Sequence, residues 1–131
     1  MKTEELSLGD WVLVATEGVP MQVSAIQDEK ISLRVGQATA PAIVCGLKEI
    51  EPIPLTEGVV ALNCIEAAYP PPGAHSYKAE GARCFQFVAM AGGSIMAFYG
   101  GGLHILSSVH EFQHVLRMFG YADLANSLKL S

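Results

Sequence analysis

The chain is 131 residues long, 50% hydrophobic and 16% charged, with mean hydropathy +0.33 and a formal charge of −5. Such a length holds one domain or two very small ones and can bury a real core. The acidic balance gives no electrostatic help toward phosphate backbones or anionic lipid, and the scarcity of charge argues against a disordered chain.

The opening Met1-Lys2-Thr3-Glu4-Glu5 lacks the basic and apolar regions of a secretory signal, which predicts a cytoplasmic protein. No stretch approaches the ~20 uninterrupted apolar residues of a spanning helix, because residues 85–106 are broken by Gly92, Gly93 and Gly100 to Gly102. Cys45, Cys64 and Cys84 form no C-x-x-C pair, and an odd count in a reducing compartment predicts buried free thiols with a structural role.

Residues 11–15 follow a Gly9-Asp10 turn and read as a first strand, with Trp11 as a core anchor. Met21, Val23 and Ala25, then Ile31, Leu33 and Val35, alternate with polar neighbours, and residues 42–45 offer a fourth strand. Residues 1–51 therefore read as a small SH3-like β meander or barrel. In Ile50-Glu51-Pro52-Ile53-Pro54-Leu55 each proline removes a donor and biases its predecessor to extended geometry, so the segment reads as a rigid connector. Thr56 caps a short predicted helix through Asn63, with Glu57 in its first turn and Val59, Val60 and Leu62 inward. Tyr69 and the Pro70 to Pro72 run open a predicted exposed loop reaching to Gly81.

Residues 83–91 and 94–99 read as an antiparallel pair turned at Gly92-Gly93, and residues 103–106 as a further strand. The Gly100-Gly101-Gly102 run lacks the following Gly-Lys-Ser/Thr of a phosphate loop and reads as a turn needing positive φ. Val109, Phe112, Leu116 and Phe119 make one apolar stripe on a helix over residues 109–119, ended by Gly120; a turn over 123–126 and a last strand over 128–130 follow. The fold class is α+β: the N-terminal β unit, then residues 52–131 as an antiparallel sheet with one main helix, packed as one globule.

That helix carries His110-Glu111-Phe112-Gln113-His114, which satisfies H-E-x-x-H, the zinc-hydrolase pattern in which two imidazoles bind metal and the glutamate is general base. The third ligand is the difficulty. Asp123 is the sole downstream carboxylate, Arg117 and Gly120 occupy the places of the glycine and third histidine in the extended motif, and His75 and His104 lie upstream. Ser108-Val109-His110-Glu111 is also a capping-box pattern, which accounts for Glu111 without metal. Arg117 falls on the face of His110 and His114, opposite the apolar stripe, and that face reads as a polar surface.

The segments Leu6-Ser7-Leu8-Gly9-Asp10-Trp11-Val12, Val19-Pro20-Met21-Gln22-Val23 with Ile26, Ile50-Glu51-Pro52-Ile53-Pro54-Leu55-Thr56-Glu57 and Ser108-Val109-His110-Glu111-Phe112-Gln113-His114 occur in an order that resembles a family of small uncharacterised proteins of Bacteroidetes and their phages and mobile elements. The resemblance covers both ends and the central connector but not residues 64–102, and its most specific piece is Pro-Ile-Pro-Leu-Thr-Glu. It implies no biochemical activity. Its pattern has Asn where this chain has Asp10 and again where it has His114, so it implies no family-wide metalloprotease.

The reading that results is a non-catalytic protein-interaction or assembly module without cofactor or membrane, with homodimerisation its most economical form. Two alternatives stand beside it. One is a zinc hydrolase using His110, Glu111, His114 and Asp123. The other is a weak single-stranded nucleic-acid binder stacking bases on Trp11, Phe85, Phe87, Phe98 and Tyr99, although Lys30, Arg34 and Arg83 are a thin basic complement and the alternation of these aromatics assigns them to a core. One helix covers less apolar surface than these strands carry, which predicts packed β units and a second subunit.

Overall fold

The computed structural model describes residues 5–15, 18–34, 43–68 and 72–130. The first four residues and Tyr69 to Pro71 of the proline run lie outside them. The chain is mixed α+β with two five-stranded antiparallel sheets, and it divides into two compact units, Met1–Ile53 and Pro54–Ser131.

The first unit contains β1 (Trp11–Val14), β2 (Pro20–Gln27), β3 (Lys30–Arg34), β4 (Ile43–Gly46), a 3-10 turn at Leu47–Glu49 and β5 (Ile50–Pro52). Their order in the sheet is β4-β3-β2-β1-β5, and β4 and β5 stand at opposite ends, so no closed barrel forms among the described residues. Period-2 alternation fixes the inward face: Val12, Val14, Met21, Val23, Ile31 and Leu33 are buried, joined by Cys45 and Ile50. The Gly9-Asp10 turn is held by a buried carboxylate, since Asp10 Oδ2 accepts from Ser7 N–H at 2.8 Å while Gly9 sits at φ 88. Two expectations change. Trp11 alternates with Val12 and is only half-buried, so the small aliphatics anchor this core. Ile50–Pro52 is not a bare connector but an edge strand on β1, the one position in a sheet where a terminal proline costs no ladder bond.

The second unit runs α1 (Glu57–Asn63), β6 (Ile65–Glu66), β7 (Ala74–Lys78), β8 (Phe85–Met90), β9 (Ile95–Tyr99), β10 (Gly102–Leu106), α2 (Val109–Met118) and α3 (Ala122–Asn126). Its sheet order is β10-β9-β8-β7-β6, a plain antiparallel meander. Thr56 caps α1 by accepting from Val59 N–H, with Val59 and Val60 buried as expected, whereas Leu62 points to solvent at 48% exposure. Two hairpins use glycine differently. Tyr99 pairs with Gly102 across Gly100 and Gly101 at φ 61 and 79, the left-handed pair that a two-residue turn demands. The β8–β9 connection is a residue longer than a two-residue turn: Gly93 donates to Met90 O, Met90 donates to Ser94 O, and Gly93 at φ 93 forms the bulge that restores the register.

One face of this sheet carries Phe85, Phe87, Ile95, Ala97 and Leu106, and α2 lays Val109, Phe112 and Leu116 on it. Phe87 meets Phe112 edge to face at 4.6 Å, and Phe85 stacks on Phe119 at 4.4 Å. Each such fully buried side chain contributes roughly 1.5–3 kcal/mol relative to exposure.

Two further expectations fail for a common reason. Residues 74–78 form a strand inside the sheet rather than part of an exposed loop, because strand neighbours on both sides satisfy a backbone that its mixed side chains did not advertise. Residues 128–130 form no strand; instead the Asn63 amide accepts from Lys129 N–H at 2.8 Å and donates to Lys129 O at 2.7 Å, replacing a neighbouring strand with one side chain. Cys45 is buried, but Cys64 is half-buried and Cys84 exposed, so the thiols are not uniformly internal.

Gln113 is fully buried in α2 and donates to the Ala125 carbonyl of α3 at 2.8 Å. Gln113→Met keeps the volume but orphans that carbonyl, and urea denaturation is expected to show a loss of about 1–3 kcal/mol.

Candidate functional site

The H-E-x-x-H segment forms the start of α2, and its chemistry is decided by the cap. Ser108 Oγ accepts from Glu111 N–H at 3.4 Å, while Glu111 Oε1 accepts from the N–H groups of Ser108 and Ser107 at 3.0 and 3.1 Å and from the Ser108 hydroxyl at 2.9 Å. The expected capping box is therefore present, and one carboxylate oxygen serves three donors. That oxygen holds the helix terminus.

The two imidazoles of the motif lie with ring centroids 5.7 Å apart, planes at 67°. Asp123 is exposed in the first turn of α3, and its carbonyl accepts from Ser127. His75 and His104 are engaged elsewhere, the first with Glu57 and the second stacked on Tyr99 at 4.1 Å. Among the described residues no three His, Cys, Asp or Glu side chains gather where they could hold a metal ion.

The expectation of a polar, solvated face around His110 is corrected. His110 is only 5% exposed and Gln113, which donates to the Ala125 carbonyl of α3, not at all. Arg117 extends to Asn126 Oδ1, with Nη2 at 3.0 Å. Of the aromatics considered for base stacking, Phe85 and Phe87 are buried under α2 and Phe98 lies on the opposite sheet face.

A cluster that no local sequence pattern groups forms between α1 and β7. Glu57 Oε2 accepts from the Tyr77 hydroxyl at 2.6 Å, and His75 Nδ1 lies 2.6 Å from the same oxygen. The Tyr77 bond, followed by His75, holds the Glu57 carboxyl below the usual carboxylate range. Reciprocally, the Glu57 bond and then burial push the Tyr77 phenol up to about 12. His75 and Tyr77 share a strand face by their i, i+2 spacing, but eighteen residues separate His75 from Glu57, and no local pattern links them. The arrangement ties the first turn of α1 to β7, beside a shallow depression of about 500 Å³ lined by Glu57, His75, Ala89 and Met90. Elsewhere, burial alone pushes the Cys64 thiol up to about 12, which keeps it a protonated, unreactive packing group.

A group of exposed apolar side chains sits at the other end of the sheet. Leu103 is 59% and Ile105 68% exposed on β10, and the register sets Phe98, itself 42% exposed, opposite Leu103. β10 is an edge strand with five consecutive pairs to β9, no bulge, no proline and no formally charged residue. Tyr99 and Gly102 flank a two-residue turn and so exchange backbone bonds, which directs Gly102, His104 and Leu106 toward β9 and leaves the N–H and C=O groups of Leu103 and Ile105 pointing off the sheet. Ser107, two residues on, obeys the same parity: its carbonyl is taken by Leu55 N–H at 3.1 Å. The open edge thus ends where Pro54 bridges Ser108.

No family model, curated protein or solved structure matches this chain. The site's geometry is therefore what carries the functional argument.

Replacing Glu57 by Gln is expected to return the Tyr77 titration from about 12 toward its ordinary 10, followed by ultraviolet absorbance of the phenolate. Because the folded Glu57 carboxyl titrates below its ordinary 4.5, its contribution to stability is present above that value and lost as pH falls through the lowered one. The wild type should accordingly lose more stability than Glu57→Gln on acidification below about pH 4.5, as measured by denaturation at a series of pH values. Glu111→Ala, which empties the cap, is expected to cost about 0.5–2 kcal/mol by the same measurement.

Proposed function

We propose that this protein is a non-catalytic protein-interaction module whose contact surface is the β10 edge with the adjoining Leu103, Ile105 and Phe98. The observation that carries the reading is the undefended edge. Exposed edge strands in soluble proteins are ordinarily blunted by charge, proline, bulges or extreme shortness, and a long uncharged apolar edge is a template for another strand. β10 offers both ingredients of strand addition, outward backbone groups for affinity and alternating side chains for specificity. Burial of Leu103 and Ile105 supplies roughly 1.5–3 kcal/mol each against an association cost of at least about 4 kcal/mol, so side-chain burial by itself gives only a weak contact and the strand hydrogen bonds supply the rest.

The strand order β4-β3-β2-β1-β5 and the 3-10 turn before the last strand support reading the first unit as an SH3-like fold, a frequent interaction scaffold. Free cysteines support a reducing, cytoplasmic setting, and no helix among the described residues is long and apolar enough to cross a membrane. The resemblance to proteins of Bacteroidetes phages and mobile elements supports a role within such an element.

The reading is tested by amide hydrogen exchange in the intact protein with a capped peptide of alternating valine and threonine. The Leu103 and Ile105 amides are expected to exchange rapidly in dilute protein and to slow at least tenfold at saturating peptide. An unchanged exchange rate at both amides would remove the proposal.

A further inference from the structure

Resting on that reading, we infer that the partner of β10 is a second copy of this chain, paired antiparallel about a two-fold axis at His104. Parity admits an axis through Leu103, His104 or Ile105. The first sets Ile105 against Gly101 of the turn, and the last sets Leu103 against Ser107, whose N–H and carbonyl are already taken by Glu111 and Leu55. The outward backbone groups belong to Leu103 and Ile105, and an axis through His104 sets Leu103 opposite Ile105 of the partner and Ile105 opposite Leu103 of the partner. Every outward N–H and C=O of these two residues then gains a hydrogen-bond partner. Shifting the pairing so that the axis falls between residues would set outward groups against inward ones and lose the ladder.

Side chains agree with the backbone. Leu103 and Ile105 occupy one face of β10, so the same axis gathers both exposed pairs into a single apolar cluster flanked by the two Phe98 rings. A strand without formal charge also lets two molecules of net charge −5 meet without like charges in the seam. The product is one antiparallel sheet of ten strands, β6 to β10 from each copy.

Sedimentation equilibrium of the full chain is expected to give a reversible dimer of the 13.9 kDa protein in the micromolar to submillimolar range. Ile105→Lys, which brings two ammonium groups into the seam, should weaken it at least tenfold while leaving the thermal midpoint of the monomer unchanged. The register is read by disulfide trapping in a Cys84→Ser background. His104→Cys sets the new thiols across the axis and should cross-link rapidly with oxidised glutathione, whereas Leu103→Cys should cross-link at least tenfold more slowly. A dimer that ignores Ile105→Lys, or equal cross-linking at both positions, would overturn the inference. A strict monomer whose edge amides are nevertheless protected by the valine-threonine peptide defeats self-pairing alone; a monomer without that protection defeats the interaction reading as well.

Discussion

The position of α2 is set by one carboxylate. Glu111 closes the cap with Ser108 and Ser107, and this fixes the first turn of the helix directly after β10. From that start, the 3.6-residue period brings Phe112 onto Phe87 and, about two turns further on, Phe119 onto Phe85. A helix started one residue later would rotate this stripe by about 100° and lift the aromatic layer off the sheet. The cap is therefore a registration device for the core, and the glutamate of the H-E-x-x-H pattern supplies it.

A single helix of ten residues covers only one face and part of the width of a five-stranded sheet. The second unit closes the rest of the helix's own surface with α3, through Gln113 and Arg117, so α2 is sheltered on two sides. What this economy leaves is the far side of β9 and β10. The apolar composition of the chain thus has two fates, a well-filled aromatic core and an open strand edge with its side chains in water. The β9–β10 hairpin closes tightly because its two turn glycines adopt the left-handed conformation, and all five residues of β10 pair with β9.

The Glu57–His75–Tyr77 cluster shows a second way in which titratable groups serve architecture. One carboxylate oxygen receives two donors from alternate residues of β7, and the helix N-terminus carrying Glu57 favours its negative charge. Asn63 closes the other end of the same helix by accepting from and donating to the Lys129 backbone. α1 is consequently pinned at both ends by polar bonds, while Val59 and Val60 pack beneath it.

Local chemistry was legible wherever a side-chain pattern and a backbone requirement coincided. Alternation along Met21 to Val23 and Ile31 to Leu33 gives the first sheet its inner face, Thr56 and Ser108 mark the helix starts, and the glycine pair before β10 marks a tight turn. The H-E-x-x-H segment was legible as two incompatible proposals, because sequence spacing states which groups share a helix face but not which hydrogen bonds they make. Tertiary structure decided the remainder: that Ala74–Lys78 is an inner strand, that Asn63 substitutes for a neighbour of residues 128–130, that α3 takes the buried Gln113 amide, and that Leu103 and Ile105 are left outside. The reason is the same in each case. Periodicity reports the faces of an element, whereas burial depends on which other element arrives against each face, and that is settled only when distant parts of the chain compete for the same surface.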